Sequence, residues 1–175
     1  MNASELQRNS LLKNIKLIIS DIDGTFLNDN GELGFESKKL VKEIMKLNVM
    51  VSLATGRLHS AVTEIAKDLS LNGYVISLDG ALIKNSVNDK TLYESYLKTS
   101  QVKKAIALSE NNLVNIVLCH ASAIYYTEYN SVIPSLLSKY GASYTQVDSY
   151  QDYICGTLEI VCSSDMKESI KQLEE

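Results

Sequence analysis

The sequence has little of what marks secreted, membrane or nucleic-acid-binding proteins. Its 175 residues include three cysteines, Cys119, Cys155 and Cys162, with no CxxC spacing, which favours reduced thiols over a disulfide framework or a zinc site. No apolar run approaches the ~20 residues that span a bilayer, and residues 1–14 lack the apolar core of a secretion signal. The net charge is −4 without a dense run of lysine and arginine, which argues against a nucleic-acid partner. These absences predict a cytoplasmic protein with neither nucleic-acid nor membrane partners.

The first 84 residues alternate between strand-like and helical patterns. Apolar runs at 15–19, 49–54 and 74–78 are short and rich in β-branched residues, and the segments 40–47 and 61–69 carry apolar residues at helical spacing. The order strand, helix, strand, helix, strand predicts an α/β fold with a parallel sheet. The three loops after the strands are therefore expected at one edge of the sheet, where ligands bind in such folds.

The polar stretch at residues 84–90 predicts a connection to a second domain. Beyond it the sequence alternates short strand-like and helical segments, which predicts a small α+β domain. We therefore expect two domains, 1–84 and 85–175. The strand-like segments lie at 92–97, 113–119, 123–127, 142–147 and 157–161, and the helical ones at 102–108, at 132–140 and from 165.

Two carboxylates follow the first strand directly. Asp21 and Asp23 lie two positions apart beside Gly24, and carboxylate oxygens in such an arrangement suit a hard divalent cation such as Mg²⁺. Asp and Gly are also ordinary turn residues, so this loop alone leaves both interpretations open.

The loops after the second and third strands decide between them. Asp21–Thr25, Leu53–Arg57 and Ser77–Ala81 together form a pattern that resembles the haloacid dehalogenase superfamily, and within it the Cof-type phosphatases with a type IIB cap. The specific motifs lie within Ile18–Ile83. The resemblance implies a Rossmann-like parallel-sheet core with an inserted α+β cap domain.

The resemblance also implies a chemistry. Asp21 would attack a small phosphorylated metabolite to give an aspartyl-phosphate, and Asp23 would act as general acid and base. Mg²⁺ would be held by the Asp21 side chain and the Asp23 carbonyl. Thr55, Gly56 and Arg57 would bind the phosphoryl group. Thr55 also suits a helix N-cap, a role compatible with phosphate binding, and the structural alternative for Arg57 is a surface salt bridge.

The sequence departs from the family pattern at several places. Asp79 stands where Cof-type proteins usually carry Asn, and the lysine and the acidic motif expected after the cap are not found, since Lys167 fits a cap helix better. The core and the cap are therefore expected to be incomplete and the activity of this chain weak or absent. The alternatives are a phosphomutase of the phosphomannomutase kind, against which Ala54–Arg57 argues, and a non-catalytic remnant. An exposed sheet edge would allow a homodimer.

Overall fold

The computed structural model of the protein describes residues 14–28, 31–112, 114–128 and 143–163. The helices predicted at 132–140 and from 165 lie outside these residues. By internal contacts the chain divides into two units between Tyr93 and Glu94. The elements within the described residues are β1 (Leu17–Ser20), α1 (Phe35–Lys46), β2 (Met50–Ala54), α2 (His59–Asp68), β3 (Tyr74–Ser77), β4 (Leu82–Asn85), β5 (Thr91–Glu94), α3 (Thr99–Asn112), β6 (Asn115–Cys119), β7 (Ala123–Tyr126), β8 (Ser143–Gln146) and β9 (Glu159–Ser163).

The first unit is built on a sheet whose strand order, among the described residues, is β1-β2-β3-β4-β5. β1 pairs parallel with β2, and β2 pairs parallel with β3. Val51, Leu53 and Val75 of these strands form a buried core with Val41 of α1 and Val62 of α2. The predicted α/β fold with a parallel core is therefore confirmed, and the carboxyl ends of β1, β2 and β3 share one edge of the sheet.

The end of the first unit differs from the prediction. Residues 84–90 were expected to connect two domains, but Leu82–Asn85 forms β4, antiparallel to β3, and Thr91–Glu94 forms β5 beside it. The unit extends to Tyr93 rather than to residue 84. A polar turn joins the two strands, because the Asn85 side-chain oxygen accepts the N–H groups that follow it, that of Val87 at 2.9 Å. The polar residues 84–90 thus belong to the hairpin of β4 and β5 in the first sheet.

The second unit is an α+β arrangement. Its described strands have the order β8-β7-β6-β9, and β6 and β7 form an antiparallel hairpin from two of the segments that the sequence predicts as strands. Val102 of α3 joins Ile116 and Leu118 of β6 and the ring of Tyr150 in its core. The Tyr150 hydroxyl donates to the Ile116 carbonyl at 2.6 Å, and burial raises the pKa of that hydroxyl.

The cysteines carry no cross-link. Cys119 is buried, Cys155 and Cys162 are exposed, and all three are free thiols, as the sequence predicts. Burial raises the pKa of the Cys119 thiol, so it stays protonated and unreactive at neutral pH. Across the described part of the chain, every helix is too short or too polar to cross a membrane.

His59 fixes the start of α2 to the hairpin of β4 and β5. The imidazole is buried, with its Nε2 3.2 Å from Asp89 Oδ1 and its Nδ1 3.5 Å from Ser77 Oγ. Lys84 Nζ donates to the other oxygen of Asp89 at 2.9 Å. Loss of hydration lowers the pKa of His59, although the hydrogen bond to Asp89 opposes this. Burial therefore favours the neutral form of the histidine.

Gly73, just before β3, gives a direct test of how closely the sheet is built. A Cβ at this position would collide with the Val51 carbonyl oxygen and the Ser52 hydroxyl, and would lie 2.8 Å from the Val51 carbonyl carbon. Because two of these atoms are backbone, Gly73→Ala is expected to lower the free energy of unfolding by about 3 kcal/mol in urea titrations.

Gly34→Ala is the matched control for this test. Its Cβ would meet only Ser37 Oγ, at an ordinary 3.6 Å, at a backbone φ of −62° that alanine adopts freely. The change in unfolding free energy should stay within about 1 kcal/mol, which allows for the lost glycine at the start of α1. Equal effects of the two variants would contradict the close approach of Gly73 to β2.

The buried neutral His59 predicts a pH dependence of stability. Its pKa in the folded protein lies below the unfolded value of 6.5, so the unfolded chain takes up the proton first. The stabilisation is complete above pH 6.5 and is lost as the pH falls through the lower pKa of the folded state. Urea midpoints at roughly pH 7.5 and 5 should fall more for the wild type than for His59→Gln; parallel losses would exclude His59 as the cause.

Candidate active site

The loop after β1 presents two carboxylates on either side of a buried side chain. Ile22 is fully buried, whereas Asp21 and Asp23 are exposed. The Ile22 carbonyl accepts N–H bonds from the residues that follow, those of Phe26 at 2.9 Å and Leu27 at 3.0 Å. The chain can turn this tightly because Gly24 has a φ of +71°. Burial of Ile22 therefore directs both carboxylates to solvent at the edge of the sheet.

Thr55 begins the loop after β2 and is buried. Its N–H donates to the Ile76 carbonyl of β3 at 3.0 Å, and its Oγ1 accepts the Arg57 N–H at 3.1 Å. The further role of Thr55 as N-cap of the helix is wrong, because α2 has Leu58 at its N-cap without a side-chain capping bond. The threonine instead closes the short turn that leads to Arg57, and its hydroxyl hydrogen can still be donated.

Arg57 joins the second loop to the first. Its Nε donates to Asp23 Oδ2 at 2.9 Å and its NH2 group donates to Asp23 Oδ1 at 2.6 Å. This two-point geometry is the strong form of an arginine–carboxylate pair. The sequence allowed two roles for Arg57, a salt bridge and a contact with phosphate. The structure contains the salt bridge, with the predicted acid/base residue as partner, while the remaining guanidinium donors are still available for a further acceptor.

The loop after β3 is attached to the same place. Leu78 and Asp79 have φ values of +52° and +50°, which side chains other than glycine rarely adopt, and Gly80 follows at +96°. The Leu78 N–H donates to the Arg57 carbonyl at 3.0 Å. A Cβ at Gly56 would lie 2.9 Å from Asp79 Oδ1, so the Asp79 carboxylate covers the glycine of the second loop. The sequence left two interpretations of Asp79 open, an ordinary turn residue and an extra negative charge near the phosphate site, and favoured the first.

The structure thus brings most of the predicted site residues together. Asp23 contacts Arg57 directly, and Thr55 and Gly56 precede it in the same turn. Asp21 adjoins them by register, because Ser20 pairs with Leu53 at the ends of β1 and β2. In the described part of the chain no three His, Cys, Asp or Glu side chains form a group that could hold a metal ion.

A second set of polar contacts in the first unit has the order of a serine–histidine–aspartate triad. Ser77, His59 and Asp89 follow one another at 3.5 and 3.2 Å. However, Ser77 is fully buried and its hydroxyl donates to the Leu82 carbonyl at 3.2 Å. Because no substrate can reach the hydroxyl, these residues form a structural hydrogen-bond network.

Two known proteins with similar sequences are phosphatases. The chain is 29% identical over 115 residues to the 5-amino-6-(5-phospho-D-ribitylamino)uracil phosphatase YcsE of Bacillus subtilis, a match that covers 66% of this chain and 46% of that protein. It is 35% identical over 69 residues to the phosphatase YwpJ of the same organism, covering 39% of this chain and 24% of that one. The chain thus spans about half the length of the relative YcsE.

Solved structures share the fold. A haloacid dehalogenase-like hydrolase from Bacteroides thetaiotaomicron superposes with a TM-score of 0.78 at 20% identity, covering 92% of this chain and 62% of that one. A sugar phosphatase of haloacid dehalogenase subclass IIB superposes with a TM-score of 0.72 at 16% identity, covering 90% and 62%.

The sequence profile of one family extends over nearly the whole chain. It describes haloacid dehalogenase-like hydrolases and matches residues 18–175, which include all three loops of the candidate site. The protein is therefore a member of the haloacid dehalogenase-like hydrolase family.

Proposed function

We propose that this chain carries the nucleophile loop and the phosphate-binding loop of a Mg²⁺-dependent phosphatase that acts on a small phosphorylated metabolite. Phosphatase relatives and the family profile support the reaction class. The observation that supports the site most directly is the two-point bond between Arg57 and Asp23. It holds the loop with two carboxylates against the loop with Thr55 and Gly56. Attack by the first loop on a phosphoryl group bound by the second requires the two loops to be adjacent.

Asp21 and Asp23 suit Mg²⁺ by the chemistry of their donor atoms. They offer hard oxygen donors at an exposed sheet edge, and Mg²⁺ commonly binds through one or two carboxylates while it keeps several waters. The Asp21 side chain and the Asp23 carbonyl would hold the ion. When bound, it would offset the charge of an anionic phosphate and stabilise the charge that develops during transfer.

The protein's own residues supply the other steps. The Asp21 carboxylate attacks the phosphorus and forms an aspartyl-phosphate as the alcohol leaves. Asp23 gives a proton to the leaving oxygen and later removes one from the water that hydrolyses the aspartyl-phosphate. The Thr55 hydroxyl and the free donors of Arg57 bind phosphoryl oxygens. Arg57 thereby has two tasks, since the same side chain fixes the position of Asp23.

The remaining proposals concern assembly and location. β1 lies at the end of the first sheet among the described residues, and Leu17 and Ile19 are 45% and 52% exposed. We propose that a homodimer forms through this edge, because an uncovered strand offers unpaired N–H and C=O groups. The free cysteines are consistent with a cytoplasmic location.

The assignment of Asp21 as nucleophile predicts the effect of one isosteric change. In any longer form of the protein, Asp21→Asn should lower Mg²⁺-dependent release of phosphate from an aryl phosphate by more than about 10³-fold, because an amide cannot form the aspartyl-phosphate. Asp68→Asn, which removes the same charge from the exposed end of α2, should retain nearly full turnover. Unchanged turnover of Asp21→Asn would exclude it as nucleophile.

The two tasks of Arg57 predict a change mainly in kcat. Arg57→Lys keeps the positive charge but loses the planar fork that holds both oxygens of Asp23. We expect kcat to fall by about tenfold or more, since acid/base catalysis contributes roughly 10²–10⁴-fold and depends on position. Steady-state kinetics across pH would measure this. A rise in KM alone, with kcat and the pH profile unchanged, would mean that Arg57 only binds substrate.

A further inference from the structure

The Asp79 carboxylate lies directly against the proposed phosphate-binding loop. A Cβ placed on Gly56 would be 2.9 Å from Oδ1, 3.5 Å from Cγ and 3.6 Å from Oδ2 of Asp79. The carboxylate therefore lies beside the glycine between Thr55 and Arg57, in the space that a side chain at this position would need. Any phosphoryl group bound by this loop would be close to a negative charge.

The backbone holds the Asp79 side chain in this place. Leu78 is buried and anchors the turn, and its N–H donates to the Arg57 carbonyl at 3.0 Å. The Ala81 N–H donates back to the Leu78 carbonyl at 2.9 Å, which closes the turn after Asp79. This turn requires a residue at position 79 that tolerates a φ of +50°, and asparagine tolerates it as well as aspartate does. The backbone conformation alone therefore does not explain why position 79 carries a charged residue.

The charge of Asp79 has no neutralising partner among the residues that the structure describes. Within the described ranges, no hydrogen bond or ion pair is made by its carboxylate, which is exposed. The cation of the second loop, Arg57, is bound at two points to Asp23. Within the described part of the chain, no protein group therefore offsets the charge that Asp79 presents to a ligand of the loop.

We propose that Asp79 is a specificity-determining residue that makes this loop select phosphoryl groups that carry a proton over fully ionised ones. A doubly charged phosphate is repelled by the neighbouring carboxylate. A singly charged, protonated phosphate can instead donate its O–H to that carboxylate in a charge-assisted hydrogen bond. The inference rests on the proposed function, because it assumes that Thr55–Arg57 bind phosphate.

Binding of inorganic phosphate tests this directly. The 175-residue chain, Asp79→Asn and Asp68→Asn are titrated by calorimetry at roughly pH 5.5 and 8, with Mg²⁺ held at one concentration. Since phosphate loses its second proton across this range, Asp79→Asn should bind about five- to tenfold more tightly than the wild type at the higher pH. At the lower pH the difference should shrink to less than about twofold.

The comparison between variants isolates Asp79. The other charged groups of the loops, Asp21, Asp23 and Arg57, and the nearby His59 are the same in all three chains, so their titration affects all three equally. Asp68→Asn removes one charge at the far end of α2 and should match the wild type at both pH values.

Each outcome decides a separate claim. Equal affinity of the wild type and Asp79→Asn at the higher pH overturns the inference, and so does weaker binding by Asp79→Asn, which would make the carboxylate an attractive group. If circular dichroism shows all variants folded but none binds phosphate at either pH, the phosphate-binding role of Thr55–Arg57 fails, and the inference fails with it.

Discussion

The two-sided attachment of Arg57 is the interaction on which the site depends. Its side chain binds both oxygens of Asp23 in the first loop, and its carbonyl accepts the Leu78 N–H of the third. One residue can reach both neighbours because β1, β2 and β3 are parallel and adjacent, which places their carboxyl ends side by side. The guanidinium and the peptide group of the middle loop thus fix three segments that are far apart in the sequence.

Burial of apolar side chains supplies the free energy that holds the charged groups in place. Full burial of Ile22 contributes about 1.5–3 kcal/mol, and Leu78 anchors the third loop in the same way. Asp21 and Asp23 flank Ile22 and remain in water. The loop therefore gains hydrophobic stabilisation without the large cost of removing a carboxylate from water.

The sequence allowed the parallel core and the place of the site to be predicted, because both depend on local patterns. The β-branched runs specify strands, and the Asp–Gly and Thr–Gly pairs specify the loops that follow. The partners within the site depend on contacts between distant residues, such as the bond between Asp23 and Arg57, 34 positions apart. β4 was missed because its polar end, Lys84 and Asn85, resembles a connection.

The loop after β3 was predicted, but the conformation of its first residue was not. Leu78 has a φ of +52°, a conformation for which an apolar side chain carries no local preference. The turn forms because Leu78 is buried and its N–H bonds to the Arg57 carbonyl. Tertiary contacts therefore determine where the third loop ends and the antiparallel strand begins.

The balance of charges at this edge explains why the proposed chemistry needs a divalent cation. The three loops carry the carboxylates of Asp21, Asp23 and Asp79 against the single guanidinium of Arg57, whose charge is shared with Asp23. A phosphate ester adds further negative charge, so hydrogen bonds from Thr55 cannot by themselves offset the repulsion. A divalent cation bound by the first loop would neutralise two charges beside the nucleophile, which is where the repulsion opposes attack on phosphorus.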